Sequence, residues 1–471
     1  MTRPNLILIV SDDQGPWALG AAGNSEIRTP VLDELAARGI RLDRFFCASP
    51  VCSPARASLL TGRIPSAHGV HDYLDGAHSG ADSRDHLAGI PTLTDALADA
   101  GYRLGLSGKW HLGASDVPRR GFVHWYALDG GGSPYRDAVM HRADGTTEHV
   151  TDYLTDAIAD DAIAFLDAES RQSAPFFLAL NFTAPHKPFA GQHPERFTEV
   201  YRDCAFETCP QEQPHPWLQT LDGAPIGGEA DTREALIGYF AAVTAMDEAI
   251  GRVLERVRAH GMEDDTVVVF LSDNGFSCGQ HGFWGKGNGT FPMNMYDESV
   301  MVPFIVAGPG VRSQGAVRDE LLSAYDLPAT LLDLLGLDPA PFEEGPGRSF
   351  APALRGESTA MPERPVVVHS EYGPVRMIRT AERKYVHRHP YGPHELYDLI
   401  ADPRERVNLA DDPAHADELA RMRHMLHAWF TAHADPRADG RGLPVFGAGQ
   451  TRTLDDDPLG AFSPPGWDGA P

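Results

Sequence analysis

Two apolar runs in this chain stop in the same way. Asn5 to Val10, NLILIV, runs into Ser11-Asp12-Asp13, and Thr266 to Leu271, TVVVFL, runs into Ser272-Asp273-Asn274. A strand with one wet face alternates apolar and polar residues. An uninterrupted apolar run is instead buried on both faces, as in a parallel sheet with helices on each side. The rest of the first three-quarters fits that arrangement. TPVLDELAARGI reads as a helix capped by Thr29, with Pro30 in the first turn and Gly39 as the stop. TLTDALADAGY is a second helix of the same design, followed by a strand from Arg103 to Leu106. Pro175 to Phe182 and VPFIVAG are further strands, while Thr232 to His260 and LPATLLDLLG are helices. The expected fold class is therefore α/β, with a large, mainly parallel sheet sandwiched by helices. In such sheets ligands gather beyond the carboxyl ends of the strands, where Asp12, Asp13, Asp273 and Asn274 fall.

The pattern changes near residue 345. Val366 to His369, Val375 to Thr380, Lys384 to His389 and Glu395 to Leu399 are short strands with tight turns. They predict a small antiparallel sheet, followed by a helix over about Ala414 to Ala432. The expected organisation is a catalytic α/β domain at 1–345, a small α+β subdomain at 346–435 and an extended Gly/Pro-rich tail at 436–471. Composition alone reads the tail as disordered. Its apolar residues Leu443, Val445, Phe446, Phe462 and Trp467 instead suit docking on the body, and both readings stand.

The net charge of −26 argues against nucleic acid and anionic membranes as partners. It leaves room for an anionic substrate in a local basic pocket. The apolar run nearest the start is far too short for a membrane span, and no charged leader with a cleavage site precedes it. The expected location is the cytoplasm. Cys47, Cys52, Cys204, Cys209 and Cys278 are too few, and odd in number, for a disulfide framework. Cys204 and Cys209 could pair, but free thiols suit them as well. Only four of the 40 basic residues are lysines: Lys109, Lys187, Lys286 and Lys384. A chain that otherwise uses arginine can keep lysine where a compact ammonium is needed.

ASPVCSPARASLLTGR, Ala48 to Arg63, places Cys52 where a loop gives way to a helix. Backbone N–H groups and the helix dipole there favour negative charge, so a thiolate would be stabilised. A cysteine hydrolase is one reading of that position. It also requires a histidine base and an orienting partner, and 21 histidines give no discrimination.

The wider pattern resembles the type I, Cys-type sulfatases of the alkaline-phosphatase-like superfamily. CSPARASLLTGR resembles their first motif, with Pro two and Arg four positions after the cysteine. PNLILIVSDD, GKWHLG, APHKPF, SDNG and GFWGKG resemble further family segments in the expected order. SAYDLPATLLDLLG and ELYDLIADPRERVNLA resemble the closing parts, so the likeness spans nearly the whole chain.

This resemblance implies a sulfuric ester hydrolase in which Cys52 is oxidised to formylglycine by a formylglycine-generating enzyme. The hydrated aldehyde attacks sulfur, the alcohol leaves, and loss of a proton from the second hydroxyl expels sulfate. It implies a Ca2+ site, with Mg2+ as the alternative, made by Asp12, Asp13, Asp273, Asn274 and position 52. Hard oxygen donors of this kind suit such cations. Lys109 and Lys286 would hold the sulfate, and Arg56 the diol and the metal carboxylates. His111 would be the base of the second step. His186, with Lys286, would protonate the departing oxygen. Lys187 has no assigned role and reads as a surface lysine. Asp326 opens a helix and reads as a cap rather than a ligand. DGGGSPY, Asp129 to Tyr135, opens no clear helix and is a weak phosphate cradle. His71 and Tyr73, within HGVHDYLD (His68 to Asp75), and His281 and Trp284 are candidates for the pocket mouth, with loop packing as the competing reading.

The expected substrate is a small sulfated sugar or aryl sulfate. Phosphonate and phosphate-diester hydrolases share the resemblance, but tend to carry Gln for the second aspartate, His after Asp273 and no Lys-x-His pair. Asp13, Asn274 and Lys109 with His111 side with the sulfatases. A non-catalytic anion binder with unmodified Cys52 is the reading from another class. An oligomer, reached through the apolar tail, is a further expectation.

Overall fold

A computed structural model describes residues 3–74, 79–81, 83–312, 314–357, 364–445, 447–454 and 458–462. Asp75, Phe446 and Trp467 lie outside the described residues. Ten strands form the main sheet: β1 (Asn5–Ser11), β2 (Ile40–Leu42), β3 (Arg103–Gly108), β4 (Phe122–Leu128), β5 (Ala138–Arg142), β6 (Thr147–Val150), β7 (Phe176–Asn181), β8 (Thr266–Ser272), β9 (Phe304–Ala307) and β10 (Ala316–Arg318). Their order is β10-β2-β9-β8-β1-β7-β3-β4-β5-β6. The central strands β8, β1, β7, β3 and β4 all run parallel, and antiparallel strands flank them.

The uninterrupted apolar runs do what their pattern requires. Leu6, Leu8 and Val10 of β1 enter one core, shared with α2 (Cys52–Thr61), α3 (Leu93–Asp99) and α6 (Leu327–Leu334). Ile7 and Ile9 enter the other, under α1 (Pro30–Arg38), α4 (Leu154–Glu169) and α5 (Thr232–Ala259). Each β1 side chain from Leu6 to Val10 is buried, which no half-wet strand could accommodate.

Thr92 caps α3 through a full capping box with Asp95, as its sequence predicts. Thr29 does not cap α1. Its hydroxyl bonds Asp33, and Asp247 of α5 takes the N–H groups of Val31 and Leu32 at 3.0 and 2.8 Å. A carboxylate from a packed helix competes better here than a local hydroxyl, since it satisfies two orphan donors at once. Burial raises that carboxyl to about 7 even so.

The small sheet is antiparallel, β11 (Val366–Ser370), β12 (Val375–Arg379), β13 (Arg383–Arg388) and β14 (Glu395–Asp398), with α7 (Ala416–His433) against it. Its apolar face shares the first core, where Val366, Val368 and Met377 belong with Phe45 and Val300. The described part of the tail packs on its own chain. Val445, Leu454, Ala461 and Phe462 cluster with Tyr372 and Leu443, and Gln450 bonds the backbone N–H of His71. All five cysteines are free, Cys204 and Cys209 included. No helix among the described residues is long and apolar enough to cross a membrane.

Lys384 joins the small sheet to the main body. It is fully buried, with its Nζ 2.9 Å from Asp297 and 2.5 Å from Glu405. Removing one partner of a buried ion pair strands charge in low dielectric and costs about 3–5 kcal/mol. Lys384→Met should therefore lower the unfolding free energy by an amount of that size, read as a lower urea midpoint at unchanged slope. An unchanged midpoint would contradict the pairing.

Candidate active site

The parallel register of the central strands gathers the site. Ser11 of β1 pairs with Ser272 of β8, so Asp12 and Asp13 emerge beside Asp273 and Asn274. Gly108 of β3 pairs with Asn181 of β7, and the Lys109 N–H donates to the Asn181 carbonyl at 2.8 Å. Gly108 must be glycine, because its φ is 111° and a Cβ would lie 1.9 Å from the Asn181 oxygen. The strands thus deliver Asp273, Asp12, His186 and Lys109 in spatial order along one sheet edge. Cys52 arrives from across this edge as the first residue of α2. Lys286 comes from the loop after the short strand Trp284–Gly285.

These groups meet. Lys109 Nζ is 2.6 Å from Asp12 Oδ2, and Lys286 Nζ is 2.7 Å from Asp13 Oδ1. Lys286 Nζ also reaches Cys52 Sγ at 2.6 Å, and that sulfur lies 3.5 Å from Asp12 Oδ1. Arg56 Nε donates to Asp273 Oδ2 at 3.0 Å. Asn274 Nδ2 donates to Asp13 Oδ1 at 2.7 Å. Asp13 and His111 hold φ of 64° and 58°, uncommon for residues with side chains. Such backbone strain persists only where surrounding contacts over-determine it.

Burial and mutual charge set the protonation of the cluster. Burial alone would raise the Asp12 carboxyl, but Lys109, His186, Arg56 and Lys286 outweigh it and hold Asp12 far below the usual range. Asp273 goes the other way, to about 6, through burial and the neighbouring Asp12. Burial would lower Lys286, yet Asp13 and the other carboxylates keep its ammonium well above the usual value. Burial pushes the Cys52 thiol up to about 12, beyond what Lys109 and Lys286 offset. An unmodified thiol here is therefore a poor source of thiolate at neutral pH, which removes support from the cysteine-hydrolase reading. Burial, with Lys109, holds His111 well below 6.5. Its Nε2 faces the Leu74 carbonyl at 2.8 Å, and its buried Nδ1 has no partner.

The donor set fits a hard divalent cation. One ligand atom each from Asp12, Cys52 and Asp273 lies within 4.8 Å of the others. Asn274 Oδ1 is buried without a hydrogen bond. Three buried carboxylates and an amide oxygen suit Ca2+ or Mg2+.

A cavity of about 450 Å³ opens over the cluster, lined by Cys52, Asp13, His111, His186 and Lys286. Tyr73 lines it as the sequence suggested. His71, His281 and Trp284 do not. His71 is buried with Nε2 2.8 Å from the Ala438 carbonyl. His281 stacks on Tyr296 at 3.8 Å, and Trp284 donates to Gln211. In each case the loop needs the ring as its own core, and the polar tip finds a partner there. Lys187 is exposed, as expected of a surface lysine, and it also lines the cavity and donates to the Ile226 carbonyl at 2.8 Å. Asp129 to Gly132, Asn288, Tyr372 and Gly447 also line the cavity. The glycine run was a legible signal. Gly131 accepts the His111 ring so closely that a Cβ would lie 2.1 Å from Nε2. Asp326 is a cap, accepting from the Ser323 N–H at 2.8 Å.

Residues 4–337 match the sulfatase family. The chain belongs to that family. Residues 279–431 also match the region described as N-sulphoglucosamine sulphohydrolase, C-terminal. This sulfatase is 30% identical over 434 residues to the ulvan-active sulfatase of Formosa agariphila, covering 88% of this chain and 78% of that one. It is 29% identical over 488 residues to the choline-sulfatase of Rhizobium meliloti, covering 95% and 88%. A solved structure in complex with its substrate D-glucosamine-2-N,6-O-disulfate aligns with a TM-score of 0.78 at 24% identity, covering 94% of this chain and 100% of that one. The phosphonate monoester hydrolase of Agrobacterium radiobacter aligns at 0.69 and 22%, covering 92% and 96%. At these identities the two structures speak to fold alone, and they bear out the expected α/β architecture of a large, mainly parallel sheet covered by helices. The sulfatase is an enzyme of sulfate-ester hydrolysis.

The donor set predicts a thermal response. Protein stripped with EDTA should melt at higher temperature once Ca2+ is added, because a ligand bound only by the folded state stabilises it. Asp273→Asn should remove most of the gain. A melting temperature indifferent to both Ca2+ and Mg2+ would contradict the ligand assignment.

Proposed function

We propose that this sulfatase hydrolyses a small sulfate monoester with Cys52 in its formylglycine form and a Ca2+ or Mg2+ ion held by Asp12, Asp13, Asp273 and Asn274. One observation supports the reading: position 52, Asp13 and Lys286 line a single cavity, and Asp12, Asp273, Arg56 and Lys109 form the paired charge cluster directly behind them. Formylglycine would supply a hydrated-aldehyde oxygen as nucleophile toward sulfur, and the cation would lower the charge on the surrounding oxygens.

The chain's own residues take the remaining roles. Lys109 and Lys286 offset charge on the sulfuryl oxygens in a site shielded from water, where such contacts are worth most. Arg56, fixed on Asp273, holds the carboxylates in place. His111 presents a free Nδ1, because its Nε2–H is spent on the Leu74 carbonyl, and a neutral imidazole is the state a base requires. His186 donates from Nδ1 to the Lys187 carbonyl at 2.7 Å, which leaves Nε2 toward Asp13, 3.8 Å away. His186 in its imidazolium form, through Nε2–H, together with Lys286 Nζ, would supply the proton to the departing oxygen.

A cavity of about 450 Å³ walled by Tyr73, Ile226 and Tyr372 suits one ring-sized leaving group. A monosulfated sugar or an aryl sulfate fits that description. Among relatives, the names choline-sulfatase and N-acetylglucosamine-6-O-sulfatase support small sulfated substrates. The phosphodiesterase reading is weaker, for Asp13, Asn274 and the Lys109–His111 pair stand where those enzymes differ.

Hydrolysis of an aryl sulfate should exceed that of the matching aryl phosphodiester, and Cys52→Ala should abolish the former while leaving folding and metal binding largely intact. Faster diester turnover, or near-full activity in Cys52→Ala, would refute the proposal. The two histidines should separate. His111→Ala should lower kcat by about 10²–10⁴ while the first equivalent of alcohol is still released. His186→Ala should slow esters of poor leaving groups more than activated aryl esters. Equal losses on both ester types would place His186 outside the leaving-group step.

A further inference from the structure

Away from the catalytic cavity, the small sheet and α7 enclose a second one of about 270 Å³. Its polar lining is wholly basic: Arg376, His387, His389, Arg423, His427 and Arg441. Arg376 lies on β12 and His387 on β13, while Arg423 and His427 stand one turn apart on α7. Phe430 forms an apolar wall under the Arg376 guanidinium, 3.8 Å from the ring centre. Three guanidinium groups meet here, with imidazoles as further hydrogen-bonding groups, in a chain of net charge −26.

The nearby carboxylates do not balance it. Glu371 and Asp439 both bind Arg376, at 2.6 and 2.8 Å, and Asp439 also holds Arg441 at 2.5 Å. Neither carboxylate lines the cavity. Arg423 makes no hydrogen bond or ion pair among the described residues. Arg376 is only 3% exposed, yet its Nε has no hydrogen-bond partner. The imidazoles register the crowding: burial first, then neighbouring cations, depress His387 to about 3 and His389 to about 4.

We infer that this cavity binds a small tetrahedral oxyanion, phosphate or sulfate, between Arg423, Arg441 and the histidines. Guanidinium groups offer planar pairs of donors that match such an anion, and a half-enclosed site strengthens each charge-assisted bond. The inference does not depend on the catalytic assignment, since the two cavities share no lining residue.

The test is calorimetric titration with inorganic phosphate at fixed ionic strength. It is run on the full chain and on Lys286→Ala, which weakens anion binding in the catalytic cavity. Lys286→Ala should still bind one equivalent. Arg423→Ala, at an exposed position where folding is not at risk, should raise the Kd about tenfold or more, as loss of a charged hydrogen bond does. Arg441→Ala should act in the same direction. Sulfate should displace phosphate, and acetate at equal concentration should not. Absence of binding in the full chain, binding unaffected by either arginine variant, or equal displacement by acetate would overturn the inference.

Discussion

The site depends on the neutralisation of three carboxylates in a place with almost no water. Asp12, Asp13 and Asp273 are all at most 3% exposed, and the register of β1 against β8 forces them together. Left alone, such a cluster would be costly enough to disrupt the sheet edge or take up protons. Arg56, Lys109 and Lys286 prevent that, each at hydrogen-bond distance from a carboxylate. Two of these cations, Lys109 and Lys286, are the ones that face a sulfate group in the proposed reaction. Folding and catalysis therefore call on one set of charges, and a divalent ion in the cage would release the lysines toward the substrate side.

This shared use explains how an acidic protein can take an anionic substrate. The overall field repels anions, but it is screened within about 8 Å at physiological salt. Inside the cavity Lys286 and Lys187 supply local positive charge beside Asp13 and Asp129. The sparing use of lysine acquires a physical reading here. Lys109 and Lys286 are buried in the site, Lys187 lines its cavity, and Lys384 holds the small sheet to the body. Three of the four are buried, and the exposed one, Lys187, borders the cavity.

Much of the fold was legible because its signals are local. Apolar runs without alternation announced strands buried on both faces, and the switch to short strands with tight turns announced the second sheet. The site was legible where chemistry sits at strand ends, as for Asp12 and Asp273, or in an ordered motif, as for Cys52, Arg56, Lys109 and Lys286. The failures share a cause. His71, His281 and Trp284 are amphipathic rings on loops, and sequence does not say whether a loop turns such a ring toward a pocket or into its own packing. Tyr372 comes to the cavity from a distant segment, and only tertiary packing brings it there. The same is true of Asp247, which displaced Thr29 as the cap of α1. The tail posed the same problem: its composition favours disorder, yet its few apolar side chains found a cluster of their own.

The central claim is that position 52 works as an oxidised cysteine facing the carboxylate cage. Mass spectrometry of the peptide spanning Ala48 to Arg63, from preparations with measured sulfatase activity, tests it most directly. The account predicts a species that has lost one sulfur and two hydrogens and gained one oxygen, in proportion to the specific activity. Full activity in protein whose Cys52 peptide carries only the unaltered thiol would contradict it.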